Sequence, residues 1–147
     1  VKIGFKSREP RIKHRVLLVD DYPDAAEVAS MLLTIYGHDC RIAHSGTEAL
    51  RIADEFDPQI VVLDISLPDM SGYDVARELR GRWGKRPLHL AAVTGWGQAK
   101  DRARAFDAGF DQHLVKPTDA AKLKSIIQLA DNAHEPAFGL EPCLGTL

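Results

Sequence analysis

Four short stretches of the chain are continuously apolar rather than alternating: Val16 to Val19, Ile60 to Leu63, Leu88 to Val93 with His89 inside it, and the brief Leu114-Val115. Unbroken runs of this length suit strands covered on both faces, as in a parallel sheet. A fifth, weaker strand is placed at Asp39 to Ala43. Between these runs the apolar positions take a helical period. Val28, Leu32, Ile35 and Tyr36 form one stripe, Ala49, Leu50, Ala53 and Phe56 a second, and Val75, Ala76 and Leu79 a third. Ala99, Ala103 and Phe106, then Leu123, Ile126, Ile127 and Ala130, complete the series. Each stripe predicts a helix with one face on a core. The boundary residues agree: Ser45 followed by Glu48 fits a capping box, Pro23-Asp24 fits a first helical turn, and Gly37 and Gly109 stand where a left-handed residue ends a helix.

Strand and helix alternating five times predict an α/β fold, a doubly wound five-stranded parallel sheet with helices on both faces. Right-handed crossovers leave few ways to connect it. In such sheets ligands bind outside the carboxyl ends of the strands, where the strand order reverses. Composition narrows the picture further. At 147 residues and 45% apolar, the chain is one domain with a real core. A net charge of -2 with both signs interspersed offers no general surface for polyanions, so no direct nucleic-acid contact is expected; the basic opening, Lys2 to Arg15, reads as a solvated linker. Cys40 and Cys143 match no metal or redox spacing and read as thiols in a reducing compartment. No apolar run approaches the roughly 18 residues of a membrane span and no leader pattern opens the chain, so the expected location is the cytoplasm.

The carboxyl ends of the strands carry the chemistry. The first ends in Asp20-Asp21, the third in Asp64, the fourth in Thr94 and the fifth in Lys116, while the second ends without an obvious reactive group. Three carboxylates on one sheet edge repel one another, since a unit-charge pair at ~4 Å is worth about 4 kcal/mol at intermediate dielectric. A cation belongs among them, and a small acidic cluster with open positions suits magnesium better than calcium. With a divalent ion on one side and the Lys116 ammonium on the other, Asp64 is placed to attack phosphorus, and Thr94 to donate its hydroxyl to a phosphoryl oxygen.

"VLLVDDYPDA", "VVLDISLPDMSGYD", "AAVTGWG" and "FDQHLVKP" resemble the four signature segments of the receiver domain of two-component response regulators, over roughly Arg15 to Ala130. The resemblance implies a flavodoxin-like sheet of strand order 2-1-3-4-5. It implies that Asp20, Asp21 and Asp64, with the backbone carbonyl of Ser66, hold Mg2+, and that Asp64 takes phosphate from a histidine kinase or histidine phosphotransfer protein. Thr94 and Lys116 would then contact the phosphoryl oxygens. Family members switch when the threonine is drawn to the phosphoryl group and an aromatic residue three places before the lysine turns inward; here that place holds His113. Ser66 and Trp96 stand where the family tunes phosphoryl lifetime, Trp96 as a shield against water or as a partner contact. Lys116-Pro117 resembles the family's cis bond, Asp69 reads as a turn residue, and His89 as packed rather than catalytic. Partner specificity is expected along Asp24 to Tyr36, with a monomer or weak dimer as the assembly.

The domain reading is a linker or extension over 1–14, the receiver over 15–131 and a tail over 132–147. "HEPAFGLEPCLGTL" has neither a helix-turn-helix pattern nor a second core, and the chain opens on Val1, so a piece of a longer protein without its output domain is expected. "FDQHLVKP" resembles receivers at the end of hybrid histidine kinases. A stand-alone regulator acting in trans remains the alternative. A phosphatase of the haloacid dehalogenase type also forms an aspartyl phosphate, but it places an aspartate two after its nucleophile, where Ser66 stands here. A module that no longer takes phosphate is opposed by the presence of all five signature side chains.

Overall fold

A computed structural model describes residues 12–95, 97 and 99–134. In chain order the elements are β1 (Arg15–Val19), α1 (Pro23–Ile35), β2 (Asp39–Ala43), α2 (Gly46–Phe56), β3 (Ile60–Asp64), α3 (Gly72–Trp83), β4 (His89–Thr94), α4 (Ala99–Ala108), β5 (Gln112–Val115) and α5 (Ala120–His134). All strands are parallel, in the order β2-β1-β3-β4-β5. The sheet is the five-stranded, doubly wound one expected from the alternation. The order reverses between β1 and β3, which places their carboxyl ends, Asp20 and Asp64, side by side.

Three of the four continuous apolar runs are explained by two cores, one on each sheet face; the fourth, Leu114-Val115, was expected to be covered on both sides, but β5 is an edge strand, with Leu114 half-buried and Val115 exposed. Successive strand side chains point to opposite sides. Leu17, Val19, Val61, Leu63, Leu90 and Ala92 pack against α2, α3 and α4. Val16, Leu18, Ile60, Val62, Ala91 and Val93 pack against α1 and α5. Every residue of β3 and β4 is buried, so neither strand can alternate apolar with polar.

Two helix faces differ from the sequence expectation. In α1 the buried positions are Ala26, Ala29 and Leu33, with Leu32 and Tyr36 half-buried, while Val28 and Ile35 lie in solvent. Apolar residues cover most of the helix outside a polar stripe of Glu27, Ser30 and Thr34, and small alanines take the face against the sheet, so the largest side chains do not mark the inner face. In α4 Ala105 and Ala108 face the core and Ala103 and Phe106 do not. The buried aromatic there is Phe110, just beyond the helix, where the left-handed Gly109 (φ 109°) turns the chain inward.

The caps hold with one variation. The Ser45 side chain accepts from the Glu48 amide, but Glu48 accepts from His44 N–H rather than from the cap residue itself. Asp69 does more than turn its loop. Its carboxylate accepts from the amides of Gly46 and Thr47 and from the Thr47 hydroxyl, closing the amino end of α2 from across the sheet edge. Those donors, the Thr47 hydroxyl first, hold Asp69 well below the usual carboxylate range. A lowered folded-state pKa means stability that is present above about pH 4 and lost as pH falls through the folded value. Asp69→Ala is therefore expected to lower the urea midpoint at pH 7, with the difference from the parent shrinking as acid protonates Asp69.

Gly72, the first residue of α3, is dictated by the strand it meets. Its N–H donates to the Ile65 carbonyl at 2.9 Å, and a Cβ there would stand 2.7 Å from both the Asp64 carbonyl oxygen and the Ile65 Cα. Both obstacles are backbone, so they cannot rotate away. Gly72→Ala is expected to push α3 off the end of β3, costing about 1–3 kcal/mol in urea unfolding and displacing Asp64 with it.

At the opposite pole lies a polar cluster that no sequence pattern marked. His14, fully buried before β1, donates from Nε2 to Asp131 of α5 at 2.6 Å, and its backbone N–H donates to His38 Nδ1. These bonds fasten the last turns of α5 to the start of the sheet.

Candidate functional site

Asp20, Asp21 and Asp64 offer carboxylate oxygens that lie within 4.8 Å of one another. Asp64 is buried at 3% exposure, Asp20 is half-buried and Asp21 is exposed, so the cluster grades from the sheet out to solvent. Both Asp64 oxygens are engaged. Oδ1 accepts from the Ser66 amide at 3.0 Å and Oδ2 from Lys116 Nζ at 2.8 Å. Asp20 accepts from the Tyr22 amide at 2.9 Å, which fixes its carboxylate just before α1 begins.

The charges are strongly coupled. Burial, seconded by the charges of Asp64 and Asp21, lifts Asp20 above the usual carboxylate range, against the Tyr22 amide and Lys116. Burial also works against the Lys116 ammonium, but its bond to Asp64 and the charges of all three aspartates outweigh it and hold Lys116 above its ordinary value. Lys116 is thus a fixed cation against a site with surplus negative charge. Three hard oxygen donors on one open edge, with the Lys116 ammonium the one cation bonded to them among the described residues, fit a small divalent cation such as Mg2+.

Thr94 ends β4 as a buried hydroxyl, and its carbonyl accepts from the Lys116 amide at 2.8 Å, so the two side chains leave neighbouring strand ends. His113 lies inside β5, with Nε2 3.5 Å from the Thr94 hydroxyl oxygen. Lys116-Pro117 is cis. Lys122 of α5 holds the turn after β5 through the carbonyls of Val115 and Pro117. A cavity of about 730 Å³ opens beside the acidic cluster, with Tyr22, Ala25 and Val28 of the α1 side on one wall and Val93 and Pro117 on the other.

The expected site residues Asp20, Asp21, Asp64, Ser66, Thr94 and Lys116 therefore stand at one sheet edge, with His113 behind Thr94. Trp96 lies outside the described residues, as do Cys143, most of the 132–147 tail and most of the 1–14 opening. His89 is packed, bonded through Nε2 to Gln112. One residue was missed. His44, following β2, donates from Nδ1 to the Asp20 carbonyl at 2.9 Å and so braces the backbone of the acidic pair. Its signal was its place, immediately after the one strand read as ending without chemistry. Among the described residues, no helix is long and apolar enough to cross a membrane.

The family model of the response regulator receiver domain matches residues 16–128. Among curated relatives, the transcriptional regulatory protein KdpE of Mycobacterium tuberculosis is 37% identical over 127 residues, covering 86% of this chain and 54% of that protein. The chain spans about half the length of the curated relatives it matches. Among solved structures, a CheY-like response regulator receiver domain from Methylobacillus flagellatus is 32% identical, with a TM-score of 0.70 over 81% of this chain and 99% of that one. The co-crystal structure of the Saccharomyces cerevisiae histidine phosphotransfer protein Ypd1 with the Ssk1 receiver domain also matches, at 24% identity and a TM-score of 0.74, over 79% of this chain and 87% of that one; it shares the fold.

Proposed function

The chain belongs to the response regulator receiver domain family of two-component signalling, and from that premise we propose that Asp64 is its phosphoacceptor, loaded from a phosphohistidine with Mg2+ at the site. The observation that carries the reading is the buried Asp64 carboxylate, held between the Lys116 ammonium at 2.8 Å and two further carboxylates. An Asp64 oxygen forms the new O–P bond as the donor's N–P bond breaks, and the electron pair of that bond stays on the imidazole nitrogen. Lys116 meets the charge on the phosphoryl oxygens and Thr94 donates to one of them. Asp20, Asp21, Asp64 and the Ser66 carbonyl would hold Mg2+, which supplies the remaining charge neutralisation. With Thr94 recruited, its neighbour His113 carries the change to the α4 side of β5.

The donor's docking face is α1. Val28, Met31 and Ile35 are 57%, 63% and 73% exposed, an apolar strip leading from the cavity beside Asp64 along the helix. Such an exposed apolar strip fits an apolar partner helix that presents the phosphohistidine at one end. For the whole protein we take a phosphorelay role, with the receiver of a hybrid histidine kinase as the first context, on the strength of "FDQHLVKP". A receiver of a transcriptional regulator is the second, favoured by the KdpE relative.

The test is transfer from protein donors. Histidine kinases or phosphotransfer proteins carrying labelled phosphohistidine are expected to pass label to this chain in Mg2+, and to keep it when EDTA is present or Asp64→Asn replaces the parent. Label retained on every donor, with none on Asp64, would contradict the reading.

A further inference from the structure

His113 and Thr94 sit on neighbouring strands and face the same side of the sheet. In the β4–β5 register His113 pairs with Ala92 and Val115 with Thr94, and Ala92 belongs to the core under α4. Gln112 turns the other way, where its amide donates to Ser125 of α5. The half-buried imidazole therefore meets Thr94 from β4 and, from α4, the charges of Asp101 and Arg102. Burial first, then Arg102, hold His113 below the usual histidine range, with Asp101 opposing them.

Chemistry at Nε2 then sets whether the Thr94 hydroxyl can donate to the ring or must accept from it. A neutral ring presenting a lone pair at Nε2 accepts the Thr94 O–H. A protonated ring carries hydrogen on both nitrogens and can only donate. One proton on His113 thus reverses the direction of the contact 3.5 Å from the Thr94 oxygen.

We propose that His113 is a proton-linked positioning residue: its neutral ring turns the Thr94 hydroxyl hydrogen toward β5, and its protonated ring releases that hydrogen for a phosphoryl oxygen on Asp64. The inference rests on Asp64 being the phosphoacceptor. Linkage makes it reciprocal. A phosphoryl group on Asp64 adds negative charge at the strand ends and competes for the Thr94 hydrogen, and both favour a charged His113. The loaded-state pKa is therefore raised above the free-state one. The added preference for loading is fully present below the free-state pKa and is lost as pH rises through the loaded-state value. That free-state value lies under the ordinary ~6.5 of histidine, so the linkage acts in mild acid.

The experiment is an NMR titration of the His113 ring in the Mg2+-bound protein, free and loaded with beryllium fluoride as a phosphoryl mimic, with His113→Phe to assign the signal. Loading is expected to raise the His113 pKa by about one unit, equal to a tenfold preference, and the rise is expected to shrink by at least half in Thr94→Val. A loaded protein whose His113 titrates as in the free state overturns the linkage alone. An equal rise in Thr94→Val overturns the role of Thr94, leaving charge as the whole effect. A parent that takes no load at all contradicts the Asp64 reading, and the linkage falls with it.

Discussion

Lys116→Ala is expected to slow phosphoryl loading of Asp64 by about two to three orders of magnitude, the cost of removing one preorganised donor from developing charge. The same change is expected to tighten the hold of the acidic cluster on Mg2+. Lys116 Nζ sits 2.8 Å from Asp64 Oδ2 and feels all three aspartates, so it competes with any cation for their charge. Rate and affinity should then move in opposite directions. Quench-flow loading from acetyl phosphate reads the first and calorimetric Mg2+ titration the second. A variant that loads at the parent's rate would remove Lys116 from the chemistry, and one that binds Mg2+ more weakly would mean the lysine organises the cluster rather than opposing its charge.

Leu63→Ala is expected to cost about 2–5 kcal/mol of unfolding free energy, the range for truncating a fully buried leucine. Leu63 is 0% exposed in β3, the strand between β1 and β4, and packs in the core beneath α2 and α3. Strands on both sides limit how far the site can collapse around the cavity. Against a typical stability of about 5–15 kcal/mol, the loss is a large share of the whole. Urea unfolding should show a lower midpoint with an unchanged slope. A midpoint within experimental error of the parent would mean that the sheet interior relaxes far more than a two-sided core allows.

Strands were easier to read from sequence than helix faces, and the reason is physical. A strand covered on both sides must be apolar at every position, so Ile60 to Leu63 and Leu90 to Val93 carry their burial openly. Helix α1 hides it: Ala26 and Ala29 face the sheet because small residues permit close approach, while Val28, Met31 and Ile35 are large, apolar and outside. The residues at the strand ends were legible because topology alone collects them at one edge. Lys116, far along the chain from Asp20, meets the same carboxylate cluster as Asp64 because β1, β3, β4 and β5 lie in order. His44 and Asp69 were less legible, since each acts on backbone groups distant in sequence, the Asp20 carbonyl in one case and the amides of α2 in the other.

Whether Asp64 takes a phosphoryl group is read by intact-mass measurement after acetyl phosphate treatment, with the parent in Mg2+, the parent in EDTA and Asp64→Asn in Mg2+ side by side. One added phosphoryl group is expected in the first sample and none in the other two. A phosphoryl group that appears on Asp64→Asn, or no added mass in a folded parent that binds Mg2+, would contradict Asp64 as the phosphoacceptor.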